Sequence, residues 1–301
     1  MIHIIITSFN EPRATLRAVK SFLNQKILDD FKIIVVDPFK ETEEFLKKEL
    51  QDKRVGFFLD LGEGKSYALN LLFQEIYSKN SGDVIILSDG DVYVSENSVS
   101  EILSAFNDSE VGCVACKPVS IDSIKTKYGY WSHLLFDGIH NVRRKHHQKG
   151  QFFECSGYLF AIRNGVIFNF PMEVSEDSII PYLFWKKGYK IFYADKAEVY
   201  VKNPDNFKDW KNQKIRNIKG HENLNKIFPN MPRTKTFFNE IKKGALFSLK
   251  HPRNLREFYW LLQLYLARLY IYIKAFQEIK QKKSFQDGWR ETEINSTKPL
   301  D

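Results

Sequence analysis

Short apolar runs alternate with longer amphipathic stretches along the first two-thirds of the chain. Ile2–Thr7, Lys32–Val36 and Asp83–Ser88 are rich in β-branched residues and show no polar alternation, as strands buried on both faces do. Between them the apolar positions fall at helical spacing from Pro12 to about Asn24, over 41–50, and over Lys65–Tyr77, where Ala68, Leu69, Leu72 and Ile76 share a face. Pro12 sits early enough in its helix to be tolerated. Further along, Arg54–Phe58, 111–117 and Ser156–Ile162 read as strands, 97–107 and Glu176–Lys187 as helices, the latter with a kink at Pro181. Tyr189–Tyr193 and Ala197–Val201 read as two short strands. This alternation predicts an α/β fold built on a doubly wound, mostly parallel sheet. Residues 120–150 follow no clear period. Tyr128–His147 mixes aromatics with the cluster Arg143-Arg144-Lys145-His146-His147, which reads either as a flap or acceptor surface or as a solvated helix end. No internal repeat is present.

After Asn203-Pro204 the chain turns helical, basic and aromatic, which divides it into a sheet domain over 1–204 and a helical region over 205–301. The net charge of +8 is unevenly placed: residues 202–301 hold 21 Lys+Arg against 10 Asp+Glu, while residues 1–201 hold 24 against 27. An anionic lipid surface or a lipid-linked phosphate suits that end. Nucleic acid does not, because charge is the only feature pointing to it. Phe258–Ile273 is the most apolar stretch, yet it is too short to span a membrane and contains Arg268. It reads as a helix lying at a membrane interface, or as one buried against the sheet domain or a second subunit. The tail from about Lys282 reads as mobile. Met1–Ile6 reads as a first strand rather than a signal peptide, so the expected location is cytoplasmic, with peripheral attachment to the inner membrane face. Of the three cysteines, Cys113 and Cys116 lie three apart in a predicted strand, so their side chains face opposite ways and share no metal.

The chemistry centres on Asp89-Gly90-Asp91. Two carboxylates emerging from the carboxyl end of a buried strand are hard oxygen ligands, placed where open α/β sheets bind ligands. Taken alone the motif is equally an acidic turn. Four further pieces stand in order around it: Thr7-Ser8-Phe9-Asn10-Glu11 after strand one, Asp37 after strand two, Gly64-Lys65-Ser66-Tyr67-Ala68-Leu69-Asn70, and Glu176-Asp177 followed by Gly188-Tyr189. On their own, Glu176 and Asp177 are also what a helix N-terminus favours. Gly64-Lys65-Ser66 is not a P-loop, since Leu59 stands where its first glycine belongs.

Over about residues 1–200 this set resembles the family 2 glycosyltransferases of the GT-A fold, with a C-terminal helical region appended. The resemblance implies a nucleotide-sugar donor, a Mn²⁺ or Mg²⁺ ion, inversion at the anomeric carbon, and a glycan or lipid-linked acceptor. It implies donor contacts from Thr7, Glu11, Asp37, Lys65 and Asp89, metal ligation by Asp91 with Asp89, and Asp177 as general base. Glu176, Gly157, Gln213 and Arg216 fall on its acceptor and diphosphate side. Gln213-Lys214-Ile215-Arg216-Asn217 is similar to the Q-x-x-R-W motif of processive members, with Asn217 in place of Trp. Pro38 replaces the second acid often found after strand two. His221 is a candidate further ligand, although a lone His is more often structural. Arg163 falls where relatives carry an acceptor-side loop and strand. A sugar nucleotidyltransferase is the competing enzymatic reading, but Thr7–Pro12 lacks the Gly- and Arg/Lys-rich loop it uses. A membrane-surface adaptor without catalysis is the other.

Overall fold

The computed structural model describes residues 1–60, 62–80, 82–172, 174–232 and 244–281. The elements run β1 (Ile2–Thr7), α1 (Pro12–Leu23), β2 (Phe31–Asp37), α2 (Lys40–Glu49), β3 (Val55–Leu59), α3 (Lys65–Glu75), β4 (Val84–Asp89), β5 (Tyr93–Val94), α4 (Ser98–Ala105), β6 (Val111–Ser120), α5 (Lys127–Gln148), β7 (Leu159–Arg163), α6 (Glu176–Lys186), β8 (Lys190–Val201) and α7 (Phe207–Ile227). A helical segment α8, described over 244–249, and α9 (Leu255–Lys280) follow. The tail from Lys282 lies outside the described residues.

One eight-stranded sheet has the order β3-β2-β1-β4-β7-β6-β8-β5. Strands β3, β2, β1 and β4 are parallel, as are β6 and β8; β7 runs antiparallel to both β4 and β6, and β5 to β8. Apolar residues serve both faces, as the unbroken runs require. Ile4, Ile6, Ile33 and Ile86 enter the core on one side, and Ile5, Val36, Ile85 and Leu87 the core on the other. Cys113 belongs to the second core and Cys116 to the first, so the pair straddles the sheet.

A third core lies away from the sheet. Tyr130, Trp131 and Leu134 of α5 meet Trp210 and Ile215 of α7 and Leu261, Leu264 and Ile271 of α9. Most of residues 120–150 thus form one long helix, α5, shared between the sheet and the C-terminal region. Thr126 caps it by accepting a hydrogen bond from Gly129 N at 3.2 Å. The two strands expected at 189–193 and 197–201 are one strand, β8. Its register against β6 slips between Cys116 and Lys117, where the extra residues about Asp195 are taken up as an irregularity.

Candidate active site

Thr7, Asp37 and Asp89 end three parallel neighbours, so the chain brings them to one edge of the sheet. Gly90 N donates to Thr7 O at 2.7 Å, tying the tip of β4 to β1. A Cβ on Gly90 would lie 3.0 Å from Ser8 Cβ and 3.1 Å from Thr7 O. The glycine therefore sets the spacing between Asp89 and Asp91. Gly90→Ala is expected to cost about 1–3 kcal/mol through this overpacking. Thermal denaturation measures that cost, and a melting temperature equal to wild type would contradict the close approach.

The loop after β1 turns at Asn10, the sole non-glycine residue with positive φ (52°) among the described residues, and asparagine tolerates that region well. Asn10 N donates to Asp37 Oδ2 at 3.0 Å and Phe39 N to Asp37 Oδ1 at 2.8 Å. Asp37 is wholly buried, and burial pushes its pKa up against these hydrogen bonds. It ties together the loops after β1 and β2. Glu11 is buried beside them at the start of α1.

Lys65 opens α3, directly after Gly64, whose φ of 110° suits only glycine. Its Nζ lies 2.8 Å from Asp89 Oδ1 and 2.5 Å from Glu176 Oε1, and the three side chains are only 20%, 28% and 12% exposed. Thr7 Oγ1 also donates to Asp89 Oδ1, at 3.4 Å. Burial alone would lower the Lys65 pKa, but the two carboxylates outweigh it and hold it raised. Burial would raise Glu176, but Lys65 outweighs it, with help from Arg216, and holds it lowered. Asp89 is raised, by burial first and then by repulsion from Asp91 and Glu176, against the pull of Lys65.

These directions fix the sign of a pH effect. A lowered acid contributes stability that is full above its ordinary value of 4.5 and is lost as pH falls through the folded value. Asp89 acts oppositely: its contribution is present below 3.8 and is lost as pH rises through its raised value. Unfolding free energy below pH 4.5 should therefore fall more steeply in the wild type than in Glu176→Gln. Parallel denaturation curves for the two would contradict the pairing.

Asp177 follows at the first turn of α6, where the helix dipole favours an acid. Gly157 N donates to its Oδ2 at 3.1 Å and Ser178 Oγ to its Oδ1 at 3.4 Å. A Cβ on Gly157 would stand 3.4 Å from Glu176 Oε1 and 3.8 Å from Asp89 Oδ2, so Gly157 borders both carboxylates. Two residues hold this arrangement from outside. Arg143, buried on α5, donates to the carbonyls of Glu154, Cys155 and Cys116, fixing the segment that leads to Gly157. Asn70 exchanges two 2.9 Å hydrogen bonds with the backbone of Phe170, anchoring the loop before α6.

From α7, Arg216 is exposed and its charge reaches Glu176, while Gln213 is half-buried. His221 Nε2 lies 3.7 Å from Glu154 Oε2, a buried carboxylate that also accepts from Ser178 Oγ at 2.9 Å. Arg163 does not reach the acceptor side. It pairs with Val84 at the opposite end of the sheet and donates to the carbonyls of Phe106, Asp108 and Val111.

No three His, Cys, Asp or Glu among the described residues form a group that could hold a metal by themselves. Asp89, its carboxyl pushed up by burial and then by repulsion from Asp91, would supply with Asp91 the hard-oxygen half of a Mg²⁺ or Mn²⁺ site.

A curated N-acetylglucosaminyltransferase from Rhizobium meliloti (strain 1021) is 23% identical over 240 residues, 71% of this chain and 54% of that protein. A crystal structure of GalNAc-T7 with UDP, GalNAc and Mn²⁺ is 20% identical, covers 66% of this chain and 43% of that one, and superposes with a TM-score of 0.46. The chain thus spans about half the length of each. Residues 3–168, more than half of the chain, match the family model described as Glycosyl transferase family 2, and the chain belongs to that family.

Proposed function

We propose that the chain moves a sugar from a nucleoside-diphosphate donor to a hydroxyl of a glycan or lipid-linked acceptor, with inversion. The observation that supports this most is the meeting of Lys65, Asp89, Glu176, Gly157 and Asp177 at one sheet edge. Asp91 and Asp89 would hold a divalent cation, Mn²⁺ or Mg²⁺, which when bound offsets charge on the donor's phosphates.

Asp177 is the general base. Its carboxylate takes the acceptor's hydroxyl proton as that oxygen bonds to the anomeric carbon. The bond from that carbon to the phosphate oxygen breaks, and its electron pair leaves with the nucleoside diphosphate. Attack from the face opposite the leaving group inverts the centre. Gly157 N keeps Asp177 aimed, and Lys65 keeps Asp89 and Glu176 from separating under their mutual repulsion. Arg216 and Gln213 line the diphosphate and acceptor side, and the charge of Arg216 favours the leaving phosphates. Thr7 and Glu11 border the donor. Asp37 acts through the two loops it ties rather than by reaching the base itself, since it is wholly buried.

N-acetylglucosamine is the first sugar to try, because the Rhizobium relative carries that activity in its name. The test is product analysis with a panel of nucleotide sugars and Mn²⁺. Released nucleoside diphosphate supports glycosyl transfer. Released pyrophosphate would mean nucleotidyl transfer and overturn the reading.

A further inference from the structure

α9 is apolar on two faces, and the described residues cover only one. Leu261, Leu264, Ala267 and Ile271 pack into the third core. On the other side Leu255, Tyr259, Leu262, Leu266, Leu269 and Ile273 are 44% to 88% exposed. They repeat every three or four residues from Leu255 to Ile273 of a 26-residue helix, so they form one stripe about 27 Å long. A contiguous exposed apolar stripe of this kind marks an interaction site. No helix among the described residues is long and apolar enough to cross a membrane.

Charge decides the occupant. Both acids of α9 are engaged away from the stripe: Glu257 accepts from Arg253 N at 2.7 Å and from Asn254 Nδ2 at 2.9 Å, and Glu278 meets Lys219 at 3.3 Å. Lys250, Arg253 and Arg256 are exposed around its start and Lys280 at its end. A second copy would bring the same cationic excess, 21 basic against 10 acidic residues from 202 onward, against itself. An anionic bilayer would neutralise it and take up the stripe at the headgroup–acyl boundary.

We infer that the outer face of α9 seats the protein on an anionic phospholipid surface, lying in its plane. The inference rests on the proposed transferase only for its purpose, bringing the site to a lipid-linked acceptor; the docking itself needs no donor.

The full chain is floated with vesicles of phosphatidylcholine alone, or mixed with phosphatidylglycerol, at low and high salt and without nucleotide. Binding to the mixed vesicles is expected to exceed binding to phosphatidylcholine by at least about tenfold and to fall with salt. Leu262→Glu with Leu266→Glu should lose binding by about tenfold or more while the melting temperature stays unchanged, since neither side chain enters the third core. Arg253→Glu with Arg256→Glu should weaken binding and flatten its salt dependence. Flotation that is absent, or equal for wild type and both variants, would overturn the inference. So would a dimer in light scattering that Leu266→Glu converts to monomer without any flotation, because a second copy would then own the face. Nucleotide binding, measured separately, is unaffected by any of these outcomes.

Discussion

Lys65→Ala is expected to lower stability by about 3 kcal/mol and to remove nearly all transfer. Deleting one partner of a buried ion pair typically costs about 3–5 kcal/mol, because the charge left behind has neither water nor counter-ion. Here two carboxylates would be left, Asp89 and Glu176, already close enough to repel each other. Their partial exposure, 28% and 12%, puts the cost at the lower end. For a chain of this size that is a fall of roughly 5 °C in melting temperature. Lys65→Met with Glu176→Gln should recover much of the stability, since no uncompensated pair remains, but none of the turnover. Calorimetry and product release together check both halves. A Lys65→Ala melting temperature equal to wild type would contradict the idea that these groups hold the pocket together.

Asp177→Asn should show the reverse pattern. The amide keeps the shape of the carboxylate, and its oxygen still accepts from Gly157 N, so packing is preserved. Loss of a negative charge from the first turn of α6 costs about 0.3–1 kcal/mol. Transfer should fall by about 10²–10⁴, the usual contribution of a positioned base, while affinity for the nucleoside diphosphate stays the same. Single-turnover release from a bound nucleotide sugar measures the first and titration calorimetry the second. Turnover within a few-fold of wild type would remove Asp177 from that role. The two variants separate the jobs of neighbouring acids: Glu176 meets Lys65, and Asp177 is held by Gly157 N and Ser178 Oγ.

Much of the GT-A-like fold was legible because its strands are buried on both faces and carry unbroken β-branched runs. The tips of β1, β2 and β4 were legible because short acidic, Asn and Gly punctuation marks them. The structure adds why those residues stand there: Asn10 for a positive φ, Gly64 for another, Gly90 for a close backbone approach. The direction of β7 was not legible, since a strand's side-chain period is the same both ways. Neither was β5, two residues long. α5 escaped because it has two partners, the sheet and the α7–α9 pair, which spreads apolar residues around it and blurs its period. For the same reason Arg143 looked like one of a solvated basic cluster, although it is buried and holds the segment before Gly157. The last asparagine of the Gly64–Asn70 motif pairs with a backbone one hundred residues away, and no local pattern announces such a contact. Lys65 was expected among the donor contacts, near the nucleotide or diphosphate. Only folding brings Asp89 and Glu176 to it and makes it the pocket's internal counter-ion.

We propose that Asp89 and Asp91 present a nucleoside diphosphate to a divalent cation at this edge. The deciding experiment titrates the full chain with nucleoside diphosphates, with and without Mn²⁺, in wild type and Asp91→Ala. A ligand present at a hundred times its dissociation constant stabilises the fold by about 2.7 kcal/mol, so the same samples can be read by thermal shift. Binding should be tight in the wild type with Mn²⁺, and weaker by at least about tenfold, some 1.4 kcal/mol, when either the metal or Asp91 is removed. Equal affinity in all four conditions, or no binding of any nucleoside diphosphate, would contradict it.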